Sequence, residues 1–298
     1  MTLVVGRVLA DGKILIKSDS KITDLTSVKN EPLCGALKSL ILHPNVSVSF
    51  AGNVTYAEEA LKLFYEQRID GLKRLLDLLL IIHNKSNNGT DFVVATLENN
   101  KSIFYKVSNF KIESSNSSFW IGDSDAFSEY QELYHLNYKE SSDVALSMKS
   151  AFRSLIQNPN FPSVDHFFIE MYSSRDVMPG DHVFLYEERF EADSGFFVNT
   201  VPANTKMPLA IGGASTGSYS ISHFITLSPV YHGIGVYFEF GRFGAFFCPQ
   251  LQLFKPIIIE DVDGQEFADK LKSDFGIPVR GFVIEKGSRI KLIDTRSI

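Results

Sequence analysis

Thr2-Leu3-Val4-Val5-Gly6-Arg7-Val8-Leu9-Ala10-Asp11-Gly12-Lys13-Ile14-Leu15-Ile16-Lys17-Ser18-Asp19-Ser20-Lys21-Ile22 consists of two β-branched and aliphatic runs joined through an Asp-Gly pair. That combination is the strongest short-range sign of a β-hairpin. With Asp11-Gly12 as a two-residue turn, Leu9 faces Ile14, Val4 faces Asp19 and Thr2 faces Lys21. Opposed residues, and residues two apart on one strand, share a sheet face, so Thr2, Asp19 and Lys21 are expected to point the same way. Asp19 then lies roughly 7–8 Å diagonally from Thr2. The inference depends on the register, because a slip of one residue reverses every face.

Thr2 directly follows Met1. A threonine at the very N-terminus is a self-sufficient nucleophile, since its own α-amino group, with an ordinary pKa of roughly 7.7–8.0, can serve as general base for its hydroxyl. A retained Met1 would block that amine. Further along, Lys38 stands alone in the apolar stretch Ala36-Leu37-Lys38-Ser39-Leu40-Ile41-Leu42. After a turn at His43-Pro44-Asn45, the alternating strand Val46-Ser47-Val48-Ser49-Phe50 ends at Ala51-Gly52-Asn53. A helix is expected next, from the capping box Thr55 and Glu58 and the apolar stripe Ala57, Ala60, Leu61, Phe64. Glycine at position 52 lets a backbone N–H approach a substrate carbonyl closely, as an oxyanion donor must.

This pattern of an N-terminal threonine strand, a second strand ending Ser18-Asp19-Ser20-Lys21, a lone Lys38, and Phe50-Ala51-Gly52 before a helix resembles the proteasome β-subunit family. The likeness is closest to its bacterial branch, in which the threonine also follows the initiator methionine. It covers residues 2–173, by motif over the first sixty and by element order afterwards. It implies a four-layer αββα N-terminal-nucleophile sandwich of two antiparallel sheets, and peptide-bond hydrolysis inside a ring-shaped chamber. On this likeness Thr2 is the nucleophile, Asp19 its acidic partner, Lys38 the catalytic lysine and Gly52 the oxyanion glycine, with Lys21 and Ser124 in supporting positions. The separation of Lys38 from Gly52 matches the family without a gap.

Two departures stand out. Where the family has Gly-Ser-Gly before a helix, this chain reads Gly122-Asp123-Ser124, and residues 157–160 carry no carboxylate where the family places one. Asp123 and Ser124 read first as N-cap residues of the helix that follows.

Apolar periodicity predicts helices over residues 72–82, 126–136 and 143–156, the last with the stripe Ala145, Met148, Phe152, Leu155. Strands are predicted at 92–96, 102–107, 118–121 and 165–172. This order suits two sheets held between helical layers. From Gly195 to Pro249 the chain is rich in Phe, Gly, Ser and β-branched residues. A helix is expected at 265–275, with strands at 279–284 and 289–293. We therefore expect an α+β protein with a core over residues 1–173 and a β-rich C-terminal extension over 174–298.

The 298 residues, 44% of them hydrophobic, suffice for a sizeable core. A net charge of −6 argues against a nucleic-acid surface, which needs concentrated Lys and Arg. No apolar run reaches the roughly 20 residues of a membrane span, and no signal-peptide pattern is present, so a cytoplasmic protein without membrane contact is expected. Cys34 and Cys248 have no metal-ligand spacing and are expected as free thiols, and the seven histidines show no ligand motif, so neither metal nor cofactor is expected. The stretch Gly212 to Ser218 lacks the lysine of a phosphate-binding loop and reads as an irregular loop.

Three functions fit these residues: a threonine peptidase acting through an acyl-enzyme, a small-molecule amidohydrolase of the same fold, and a catalytically silent scaffold. The resemblance further implies a peptide or amide substrate, a homo-oligomer, and an unfoldase or another substrate-delivery partner.

Overall fold

The Asp-Gly pair does close a hairpin, but one residue away from the expected register. In the computed structural model β1 (Leu3–Val8) and β2 (Ile14–Asp19) pair with Val8 opposite Ile14 and Val4 opposite Ser18. The loop holds three residues, not two. Leu9 N–H donates to Lys13 O at 2.7 Å, Gly12 N–H donates to Leu9 O at 2.9 Å, and Gly12 takes φ +80°. A turn followed by a left-handed glycine is the next commonest way to join two twisted strands, and it shifts the pairing by one. The expected pairs Val4 with Asp19 and Leu9 with Ile14 are therefore corrected.

The structure describes residues 2–19, 36–98, 101–156, 158, 160–161, 164, 167–178, 181–186, 191–192, 221–226, 233–238, 242–252, 255–285 and 289–295. Met1, Lys21, Cys34 and the Gly212 to Ser218 stretch lie outside them. The described residues fall into two compact units, one within 1–23 and 37–185, the other within 24–36 and 186–298.

The first unit holds two antiparallel sheets. One runs in the order β10 (Asp181–Tyr186), β9 (Phe167–Met178), β2, β1, β8 (Ser118–Gly122). The other runs β3 (Ser39–His43), β4 (Val46–Gly52), β5 (Thr90–Glu98), β6 (Lys101–Ser108), β7 (Lys111–Ser115). They pack face to face through β1, β2 and β8 against β3, β4, β5 and β6, with Phe104 and Phe119 edge to face at 4.6 Å between ring centroids. The helices α1 (Val54–Glu66) and α2 (Leu72–Lys85) cover the second sheet, whereas α3 (Ser124–Ser141) and α4 (Val144–Ile156) cover the first. This is the αββα sandwich that the resemblance implies and that the element order suits.

Why each helix buries one face follows from its stripe. Leu75, Leu76, Leu79 and Ile82 of α2 are buried at helical spacing. Met148, Phe152 and Leu155 of α4 close over Leu3, Val5 and Leu15 together with Ala126 and Tyr130 of α3. Phe152 sits fully buried in that cluster, where truncation to alanine costs about 3–5 kcal/mol. The start of α1 corrects the expected capping box. Asn53 is the N-cap, its Oδ1 accepting from Thr55 N–H at 2.9 Å, and Glu58 instead pairs with Lys62 one turn on at 2.8 Å. The short strand β7 has too little apolar alternation to be foreseen.

The second unit holds an antiparallel sheet with the strands in the order 257–260, 243–247, 234–238, 221–226, 279–285, 289–294. The helix Gly264–Phe275 packs Phe267, Ala268 and Leu271 against Tyr237, Phe246, Val279 and Ile293. Asp263 and Glu266 form a reciprocal capping box at its start. The aromatic residues Tyr237, Phe243, Phe246 and Phe247 are thus core residues of this unit. Among the described residues no helix is long and apolar enough to cross a membrane.

Candidate active site

Three strand ends bring Thr2, Asp19 and Lys38 together. Thr2 immediately precedes β1, Asp19 closes β2, and Lys38 immediately precedes β3. Phe50 N–H donates to Lys38 O at 3.0 Å, which continues the β3–β4 ladder by one rung and fixes where the lysine side chain leaves the sheet. Lys38 Nζ donates to Asp19 Oδ2 at 2.9 Å and also to Thr2 Oγ1. The other carboxylate oxygen, Asp19 Oδ1, accepts the Leu3 N–H at 2.8 Å, so Asp19 anchors both the lysine and the residue after the threonine.

The corrected register puts Thr2 and Asp19 in opposite phases of the strand alternation. Their convergence does not come from a shared face. It comes from Thr2 lying beyond the first strand residue, where alternation no longer directs its side chain, and from the reach of Lys38 between them.

All three side chains are secluded: Thr2 is 4% exposed, Lys38 1% and Asp19 0%. Neither a solvated strand face nor a snorkelling surface lysine describes them. A buried ammonium and carboxylate are tolerable only as a hydrogen-bonded pair, which this geometry supplies. A cation held against a hydroxyl oxygen in such a place favours negative charge developing on that oxygen.

A second set of contacts holds the backbone of Thr2. Asp123 N–H donates to Thr2 O at 2.8 Å. Gly122 lies opposite Leu3 in the β1–β8 ladder with φ +110°, and a Cβ there would sit 1.8 Å from Thr2 O. The Gly122-Asp123 step therefore cradles the threonine carbonyl. Asp123 is also the N-cap of α3, its Oδ1 accepting from Asp125 N–H at 3.0 Å and Ala126 N–H at 3.1 Å. Ser124 is exposed in the first turn of that helix. The signal for this cradle was a glycine closing a strand just before an N-cap residue.

Gly52 ends β4 two residues beyond Phe50, the residue opposite Lys38, and is exposed. Its φ is +107°, and a Cβ would approach Gly89 O to 2.2 Å. Only glycine fits this strand end. Lys17, on the same alternation phase as Asp19, forms a buried ion pair with Glu170, its partner across the β2–β9 ladder. Neither residue stood out in sequence, although a lysine inside a strand buried on both faces requires an anion. Lys21 falls outside the described residues.

No protein-family model matches the sequence, and no curated protein matches it. Among solved structures the chain is similar to a Gly-1 mutant of Anbu from Hyphomicrobium sp. strain MC1, with 14% identity and a TM-score of 0.47 over 67% of this chain and 91% of that one. It is similar also to the eukaryotic HslV from Trypanosoma brucei, with 11% identity and a TM-score of 0.40 over 57% of this chain and 98% of that one.

Proposed function

We propose that this protein is an N-terminal-threonine amide hydrolase, acting on peptide bonds in the manner of the bacterial proteasome-like branch. The single observation that carries this reading is the contact chain from the Asp19 carboxylate through Lys38 Nζ to Thr2 Oγ1. After removal of Met1, the Thr2 hydroxyl attacks the substrate carbonyl while its own amine, through a water, takes the proton. Lys38 stabilises the oxygen as it gains charge, and Asp19 keeps Lys38 charged and aimed. The Gly52 N–H receives the oxyanion, a donor of a kind worth about 2.7–4 kcal/mol in other hydrolases. Collapse of the tetrahedral adduct breaks the C–N bond, the amine leaves with the proton, and an ester to Thr2 remains. Water, activated by the same amine, then releases the acid and restores the hydroxyl. A homo-oligomeric chamber fed by an unfoldase or another delivery partner completes the reading.

The test pairs turnover of amide-linked fluorogenic peptides with mass spectrometry of the N-terminus. Active protein is expected to carry free Thr2, and Thr2→Ala to melt like the parent with no turnover. Full activity in Thr2→Ala would overturn the threonine mechanism. A completely retained Met1 with no turnover would leave a silent scaffold.

A further inference from the structure

The oxyanion role of Gly52 requires that its N–H point in one fixed direction, and glycine by itself is the residue least able to hold one. The fixing is done from the α2 side. The last turn of α2 and the turn over residues 86–89 lie against the end of β4, where Thr90 stands opposite Gly52 in the β4–β5 ladder. Asn53 N–H donates to Gly89 O at 3.0 Å, and Thr90 Oγ1 donates to Asn53 O at 3.0 Å. Both backbone polar groups of the residue after Gly52 are therefore clamped, one by the last residue of the turn and one by the first residue of β5.

That turn is itself held. Ser86 Oγ donates to His83 O at 2.7 Å and accepts from Gly89 N–H at 3.1 Å and Thr90 N–H at 3.0 Å, which uses its donor and both lone pairs. His83, fully buried, bonds Thr90 O through Nδ1 at 2.7 Å and receives Phe110 N–H on Nε2 at 3.0 Å. A carbonyl only accepts and an amide N–H only donates, so the ring is the neutral tautomer with its proton on Nδ1. Three of these bonds end on Gly89 or Thr90, and those two residues in turn hold Asn53.

We infer that Thr90, backed by His83 and Ser86, is a positioning residue that aims the Gly52 amide, so that the strength of the oxyanion site is set by a hydroxyl that never touches substrate. The inference rests on the hydrolase reading above. Thr90→Val keeps the shape of the side chain and deletes the bond to Asn53 O. Misaiming one donor is expected to lower kcat for a peptidyl ester at least about tenfold with little change in KM.

A structural weakening alone would not change the preference for oxygen over sulfur at the carbonyl. A matched ester and thionoester of the same acyl group supply that readout, because sulfur accepts hydrogen bonds poorly and gains little from an aimed N–H. The parent is expected to prefer the oxygen ester, Thr90→Val to lose most of that preference, and Thr90→Ser to recover it. Ser86→Ala, at the partly buried helix end, is the second variant should Thr90→Val fail to fold, with the same expected loss of preference. A parental preference in the folded variant, or an equal loss on both esters, would overturn the inference while leaving the hydrolase reading intact. No turnover of either ester by the Met1-processed parent would instead remove the hydrolase reading.

Discussion

Asp123 donates its backbone N–H to the carbonyl of Thr2, so the residue that caps α3 also seats the candidate nucleophile. Helix start and Thr2 position are thereby mechanically linked. The link depends on Gly122, because any side chain there would occupy the space of the Thr2 carbonyl.

Gly122→Ala is accordingly expected to displace Thr2 and lower kcat at least about 100-fold, the cost of roughly 1 Å of misplacement at a reacting atom. Circular dichroism and thermal melting beside peptide turnover would check this. Parental turnover in the alanine variant would mean that the cradle does not place the nucleophile.

Lys38→Met and Asp19→Asn should each abolish most activity, and the double variant should be little worse than either, since the residues act as one unit. Stability follows a different rule. Asp19→Asn leaves a buried ammonium without its anion and is expected to cost about 3–5 kcal/mol, part of which Lys38→Met restores in the double variant. A double-mutant cycle in urea unfolding and in turnover measures both. Effects that simply multiply would make the two groups independent.

Much of the sandwich was legible because amphipathic stripes such as Met148, Phe152 and Leu155 have no other way to be buried. The convergence of Thr2, Asp19 and Lys38 was legible for a less secure reason. The register assumed for it was off by one, and the residues meet because lysine is long and both of its partners lie at strand ends. Loop geometry decides register, and Asp-Gly serves a three-residue loop with left-handed Gly12 as well as a two-residue one. What composition could not convey were contacts between distant segments: Asp123 with Thr2, Lys17 with Glu170, and His83 with Thr90. Each pairs residues whose types are ordinary and whose meaning appears only once the sheets are stacked.

Asp91 offers a pH-dependent test of the support behind Gly52. Burial is the main cause that raises its carboxyl above the usual carboxylate range, against the opposing pull of the Lys106 ammonium. The folded state therefore holds the proton more tightly than the unfolded chain, and stability must fall as pH rises from the ordinary carboxylate value, about 3.9, to the raised one. Asp91→Asn removes that charge. It is expected to melt higher than the parent at neutral pH, with the advantage fading below the ordinary carboxylate value. A variant that melts lower at neutral pH would show that the carboxylate is stabilised by its neighbours.

Assembly decides between a chamber and an open site. Ile81 on α2, Leu136 on α3 and Leu146 on α4 are 62%, 60% and 51% exposed, apolar side chains on the outer helical layers of a kind that a subunit contact covers. Light scattering coupled to size exclusion is expected to give a multiple of 33.4 kDa, and Leu136→Glu with Leu146→Glu to reduce it without lowering the melting temperature. Dissociated subunits should keep turnover of short amides, because Thr2, Lys38 and Asp19 come from one chain, while losing any preference for long unfolded chains. A strict monomer at micromolar concentration would remove the chamber and make a small-molecule amide the substrate to pursue.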